Sequence, residues 1–341
     1  MRLGGGIVFK NVWKLLPVFI ITTLILITGG CTSEEPAEKL SEVRLVGTMG
    51  PLSIPLAYMV ENNVMESVAE TTTMEIWATP VQLQAIIGSG QAEFMSLPTN
   101  SAATFYNKDI QLKLLDCSIW NILFLVSTDP TIATIEDLAG KRVVVPYQGA
   151  VPDAIFRYNL TKHGINPDTD IELYYAPDPV QASQSLLSGQ ETCALLSEPS
   201  ATSVIKKGAE SGLTIYRNLD MNHAWQSASD GSSRSAIAGT VALNDMAEND
   251  EVIDVFMTEY EKAVEWMLAH PREAGELGAR VLEEQGFSAA VLTESLENID
   301  WDFSPASDVR DDIEHYFNAL MELSPDFTGG TLPDEDFYYG R

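Results

Sequence analysis

Short apolar runs bounded by turn residues alternate along the chain with stretches whose apolar side chains recur three and four positions apart. Val43–Gly47, Met74–Trp77 and Glu93–Leu97 read as strands, separated by helices that begin near Pro55 and at Pro80. Arg142–Pro146, Ile171–Tyr175 and Thr192–Leu196 repeat the arrangement, with helices beginning near Pro152 and at Pro179. Each set spells β-α-β-α-β, the order of an open parallel sheet.

The two sets are copies at an offset of 99 residues. Pro80-Val81-Gln82 returns as Pro179-Val180-Gln181, and Ser89-Gly90-Gln91 returns as Ser188-Gly189-Gln190. In each copy a capping residue, Thr79 or Asp178, precedes the proline, and the Ser-Gly-Gln turn ends the helix with glycine in the left-handed conformation. A period this long is no solenoid, so two similar lobes are expected.

Between the copies, Ile119–Val126 reads as a strand leaving the first lobe, and Thr128–Ala139 as a turn and a short helix. Leu219–Ser235 is polar, rich in serine and glycine, and shows no clear period; Ala236–Leu243 is apolar and reads as a strand returning to the first lobe. From Asp250 the spacing of Val252, Phe256, Tyr260, Val264 and Met267 predicts a helix. Further helices are expected from Pro271 to about Gln285, over Ser288–Asn298 and over Ser307–Leu323, all packed on the first lobe. The tail Thr328–Arg341 either lies across the surface or hangs free. The expected fold is therefore α/β: two pseudo-symmetric lobes with open, mostly parallel sheets flanked by helices, joined by two crossing strands. Lobe 1 takes residues 42–125 and 236–341, and lobe 2 takes 126–235.

The N-terminus carries Arg2, Lys10 and Lys14 and then the predominantly apolar 13-residue run Leu15–Ile27, the length of a signal-peptide core and too short to span a bilayer. Thr28-Gly29-Gly30-Cys31 resembles the lipobox of bacterial lipoproteins, with threonine where leucine is usual. The resemblance implies a signal peptide over 1–30, cleavage before Cys31, lipid on its sulfur, and a flexible tether over 31–41. The chain carries 49 acidic and 20 basic residues, a net charge of −29. That balance excludes nucleic acid and anionic membrane surfaces as partners. Beyond Cys31, only Cys117 and Cys193 remain, one per lobe. They read as buried thiols; a disulfide between them would tie the lobes together. No CxxC or Cys/His cluster is present, so no metal or other cofactor is expected.

Gly50-Pro51-Leu52-Ser53, Ser89–Tyr106, Asp137–Arg142, Gln148–Tyr158, Ala194–Ala201 and Gly329–Tyr339 together resemble the substrate-binding proteins of ABC importers. The likeness is to the type II periplasmic binding fold and, within it, to the nitrate/taurine/sulfonate and thiamine-precursor group. The resemblance implies a monomeric receptor that closes on a small molecule and docks on a membrane permease driven by an ATPase. The alternative readings are a sensor presenting the ligand to a signalling partner and an enzyme like the thiamine-pyrimidine synthases. The enzyme is disfavoured because their cysteine-rich motif is missing and the four histidines lie in unrelated contexts.

Ligands of open α/β sheets sit at the carboxyl ends of the strands, where helix N-termini offer amides. That rule selects Pro51, Leu52, Ser53, Thr79, Thr99, Asn100, Gln148, Gly149, Ala150 and Glu198, with Trp120, Asn121 and Trp225 from the interlobe segments. Trp120 serves either the core or the ligand. Glu198 either complements a helix dipole or, as the family resemblance implies, borders the cleft. Asn100 is either a helix-start residue or a contact, and Trp225, in a polar segment, is expected at the rim. No lysine or arginine falls in the strand-end loops, so a dianion has no guanidinium fork to meet it. A small neutral or weakly charged molecule with a flat part fits best, ahead of an organosulfonate and then a nitrate-like anion.

Overall fold

The computed structural model describes residues 39–340 except Ala78, Asp230 and Ser232. The expected signal peptide, Cys31 and most of the tether lie outside the described residues.

The first lobe opens with β1 (Val43–Thr48), α1 (Ser53–Glu61), β2 (Thr72–Trp77), α2 (Pro80–Ser89), β3 (Phe94–Pro98), α3 (Thr99–Tyr106), β4 (Leu112–Leu114) and β5 (Asp116–Asn121). The second holds β6 (Leu123–Ser127), β7 (Arg142–Pro146), α4 (Val151–Lys162), β8 (Glu172–Ala176), α5 (Pro179–Leu187), β9 (Cys193–Ser197), α6 (Ser200–Glu210), β10 (Tyr216–Asp220) and α7 (Met221–Ala228). The chain returns through β11 (Ala238–Leu243) to α8 (Asp250–Ala269), α9 (Pro271–Val281), α10 (Ala289–Leu296), β12 (Asp300–Pro305) and α11 (Arg310–Leu323).

Two sheets result, ordered β12-β5-β11-β3-β1-β2, with β4 beside β11, and β10-β6-β9-β7-β8. The repeated strands pair in parallel, β1 with β2 and β3, and β7 with β8 and β9. The crossing strands join them antiparallel, β11 to β3 and β6 to β9. The repeat thus forms two equivalent halves. Thr79 and Asp178 cap α2 and α5, each accepting from the amide three residues on. Gly90 and Gly189 hold φ of 64° and 73°, as the Ser-Gly-Gln turn requires.

Three features differ from the sequence reading. The single strand expected over Ile119–Val126 breaks at Ile122, so that β5 stays in the first sheet and β6 enters the second. Asn121 fixes the break, its Oδ1 accepting from the Leu123 amide at 3.0 Å. The supposedly irregular Leu219–Ser235 contains the end of β10 and then α7, capped by Asp220, whose carboxylate accepts from the amides of Asn222 and His223. Met221, Ala224 and Trp225 form its buried face. The strand β12 was not anticipated; it pairs antiparallel with β5 and adds a third strand at the seam.

One core lies between the first sheet and α1, α8 and α9, with Phe94 and Phe256 stacked at 4.0 Å. A second runs from the other face of that sheet through α11 and α4 into the second sheet. A third fills the outer side of the second sheet under α5 and α6. The last helices also reach lobe 2: Lys206 of α6 pairs with Glu294 of α10 at 2.6 Å. The tail lies across the surface, with Phe337 buried and Tyr338 bridged to Leu114. Cys117 and Cys193 are free, buried thiols. Among the described residues no helix is long and apolar enough to cross a membrane.

Candidate functional site

In the first lobe the loop after β1 turns inward. Pro51, Leu52 and Ser53 are buried, and the Ser53 hydroxyl donates to the Thr48 carbonyl. A Cβ on Gly47 would lie 2.2 Å from that hydroxyl, so the strand end needs glycine. Thr79 is exposed at the start of α2 and forms a capping box with Gln82. At the end of β3, the buried Thr99 hydroxyl donates to the Ala236 carbonyl, joining α3 to the returning segment. Beside it Asn100 donates from Nδ2 to the Phe327 carbonyl at 3.0 Å, while its Oδ1 is buried without a protein partner.

At the seam, Trp120 is wholly buried. Its Nε1 donates to the Asp302 carbonyl at 2.8 Å, and the Arg234 guanidinium lies 3.5 Å above the ring while pairing with the Asp302 carboxylate at 2.6 Å. Asn121 is buried beside it, its Nδ2 without a protein partner.

In the second lobe, Gln148, Gly149 and Ala150 form the exposed turn into α4. The Gly149 amide, in left-handed backbone at φ 75°, donates to Asp153 Oδ2 at 2.9 Å. Glu198 is buried and fully engaged, accepting from the Thr202 amide and hydroxyl at 3.0 Å each and pairing with Arg217. Burial raises its pKa, opposed chiefly by the Arg217 charge. Trp225, expected at a rim, is instead wholly buried in α7, stacked on Tyr158 at 4.3 Å with its Nε1 donating to Ser233.

A cavity of about 610 Å³ opens at the start of α4. Gln148, Gly149, Arg157 and Tyr175 line one side; Ser324 and Phe327, from the segment after α11, face them. Asn100, Thr104 and Asn107 of the α3 region hold that segment by its Phe327, Thr328 and Thr331 carbonyls. The cavity therefore lies between lobe 2 and a strap fastened to lobe 1. It gathers Gln148 and Gly149 directly and Asn100 through the strap; Pro51, Leu52, Ser53, Thr79, Thr99, Trp120, Asn121, Ala150, Glu198 and Trp225 do not line it. Asp153, Arg157, Tyr175 and Phe327 escaped the sequence reading. Asp153 and Arg157 sit within α4 rather than in its opening loop, and Phe327 lies between α11 and the tail in a stretch with no periodic signal.

The charges at the site are balanced internally. Arg157 pairs with Asp153 at 3.3 Å and Asp168 at 2.8 Å, and reaches the Tyr175 hydroxyl. Arg217 is committed to Glu198 and Arg234 to Asp302. Each guanidinium near the strand ends thus already has a carboxylate. No group of three or more metal-ligating side chains occurs among the described residues.

Duplicated α/β halves joined by crossing strands define a two-lobed chain with the type II periplasmic binding fold. No family model and no curated protein sequence matches the chain. Among solved structures it is similar to an ABC transporter protein from Parabacteroides distasonis, with a TM-score of 0.73, 23% identity, and coverage of 88% of this chain and 99% of that one. It is also similar to the periplasmic aliphatic sulphonate-binding protein of Escherichia coli, with a TM-score of 0.65, 15% identity, and coverage of 85% and 96%. The alkanesulfonate-binding protein of Xanthomonas axonopodis pv. citri, solved with MOPS, gives a TM-score of 0.60, 15% identity, and coverage of 89% and 98%. These likenesses establish the fold.

Proposed function

We propose that this chain is the extracytoplasmic solute receptor of an ABC importer. It captures a small neutral or weakly cationic heteroaromatic molecule between its lobes and delivers it to a membrane permease. The observation that carries the ligand class is the pairing of Arg157, Arg217 and Arg234 with carboxylates. A sulfonate would have to displace one of those partners or be held by amides alone. Tyr175 and Phe327 offer aromatic surface beside the polar Gln148 and Ser324, the mix that suits a flat ring with hydrogen-bonding edges.

Closure of the lobes about β5, β6 and β11 fits the crossing strands, and small-angle scattering with a bound ligand should read the compaction. Anchoring by lipid on Cys31 completes the proposal; Cys31→Ala should release the chain from the membrane fraction.

The ligand test is native mass spectrometry of gently purified protein, followed by thermal-shift titration with pyrimidines and with alkanesulfonates. The reading expects a pyrimidine-like compound to raise the melting temperature and alkanesulfonates to leave it unchanged. The reverse pattern would overturn the ligand class.

A further inference from the structure

The core between the first sheet and α1, α8 and α9 stays open at its outer edge. The edge strand β2 pairs only with β1, and beside it α1 and α9 leave a cavity of about 490 Å³. Met74 and Ile76, two positions apart, share one face of the strand. Val60 of α1, Val281 of α9 and Met49 after β1 complete an apolar floor. All five are only partly buried, and Val60, Met74 and Val281 pack directly on the core. Contiguous apolar surface held in a concave opening is what a ligand covers. Methionine, flexible and polarisable, adapts to the shape of an occupant.

The rim is acidic. Glu61 at the end of α1, Glu75 on β2, and Glu283 and Glu284 just after α9 line the opening. Arg280 is the one basic residue among the described residues that line it, and Glu61 holds it with both oxygens, at 2.8 and 3.1 Å. That leaves Glu75, Glu283 and Glu284 without an ion pair among the described residues. They do not converge as the ligands of a metal ion would. An apolar floor under unmatched carboxylates repels fatty acids and alkyl sulfonates and attracts a cation that carries a hydrocarbon tail. The cavity shares no lining residue with the one at α4.

We infer that this opening is a second ligand site, specific for an amphiphilic organic cation: one alkyl chain laid on Met49, Val60 and Met74, with its ammonium head among the glutamates. Charge-assisted hydrogen bonds from a primary ammonium to the carboxylates hold the head. Burial of the tail adds about fourfold in affinity per methylene. The inference is independent of the importer reading and of the ligand proposed for the α4 cavity.

The test titrates the purified full chain with protonated n-alkylamines from butyl to decyl, and with alkyl sulfates of the same lengths, by isothermal titration calorimetry. NMR of methyl-labelled methionine locates the site, with Met49→Leu and Met74→Leu assigning the two signals. The amines should bind about fourfold tighter per methylene until the chain outgrows the cavity, and should shift the Met49 and Met74 methyls; alkyl sulfates should bind about tenfold weaker or less. The double variant Glu283→Gln, Glu284→Gln should weaken every amine several-fold and leave the increment per methylene unchanged. Val60→Trp, which fills the cavity, should abolish binding. Equal binding of the sulfates, an affinity independent of chain length, or no binding of any amine would each overturn the inference. Amine binding that survives both variants and shifts other methionines would place the ligand elsewhere and overturn it as well.

Discussion

Asp116 opens β5 with a fully buried carboxyl group. Ser118 donates to it at 2.5 Å, Thr240 of β11 donates to its other oxygen, and Tyr260 of α8 lies against the same cluster. No lysine or arginine forms an ion pair with it among the described residues. Burial is the dominant influence and lifts its pKa from 3.8 to about 6, with the hydrogen bonds offsetting only part of the rise. The folded protein therefore holds this proton more tightly than the unfolded chain. The associated stability is fully present below the unfolded value and is lost as pH rises through the folded one. At 1.36 kcal/mol per decade, the loss is about 3 kcal/mol between roughly pH 4 and pH 7. Asp116→Asn keeps the group neutral at every pH. Its amide changes the bonds to Ser118 and Thr240, but that cost is constant with pH, so the slope is the readout rather than the level. Urea unfolding of both proteins at intervals from about pH 4 to 8 should show the variant gaining on the parent by up to about 3 kcal/mol as pH rises. A difference that stays flat across this range would refute the account.

The pair Glu198 and Arg217 should respond asymmetrically. Arg217→Met strands a buried carboxylate and is expected to cost about 3 kcal/mol at neutral pH, shrinking on acidification as Glu198, its pKa raised by burial, takes up its proton, whereas Glu198→Gln should cost about 1 kcal/mol; equal costs in urea unfolding would contradict the burial argument. In Gly239→Ala the new Cβ would sit 1.9 Å from the Asp116 carbonyl oxygen, a backbone atom with no room to yield, so a loss of about 3 kcal/mol is expected, read as a lowered melting temperature. Trp225→Ala should cost about 3–5 kcal/mol through lost packing on Tyr158 and Tyr316; a surface-like change below about 0.5 kcal/mol would place the indole at a rim after all. Asn107→Ala removes two donations to the strap, to the Thr328 and Thr331 carbonyls at 2.6 and 2.8 Å, and should speed proteolytic cleavage within residues 324–331 while costing about 1–3 kcal/mol.

The features that local chemistry dictates were legible in the chain. Proline at the first helical position and a capping hydroxyl or carboxylate before it located the starts of α2 and α5 to the residue, glycine after the last turn marked where they end, and the offset between copies implied the paired lobes. What failed was whatever depends on a distant segment. The break at Ile122 needs Asn121 to turn its side chain onto the next strand, which an unbroken apolar run conceals. In α7 the apolar part of the buried face is only Met221, Ala224 and Trp225, too few positions to stand out among serine, asparagine and histidine. The site divides the same way. Strand ends and helix starts select Gln148 and Gly149, which line the cavity, and Asn100, which holds the strap beside it. The walls were not, because Phe327 comes from more than 200 residues beyond Asn100 and is held there by backbone carbonyls that any sequence presents. Charge shows the limit most sharply. Glu198 read alone is a carboxylate at a cleft; with Arg217 beside it, it is half of a neutral pair. The absence of basic residues from the strand-end loops was visible in the sequence, and the structure extends it by showing that the nearest arginines are occupied. The specificity of the proposed receptor would therefore be set less by what its loops carry than by which of its charges are already spent on one another.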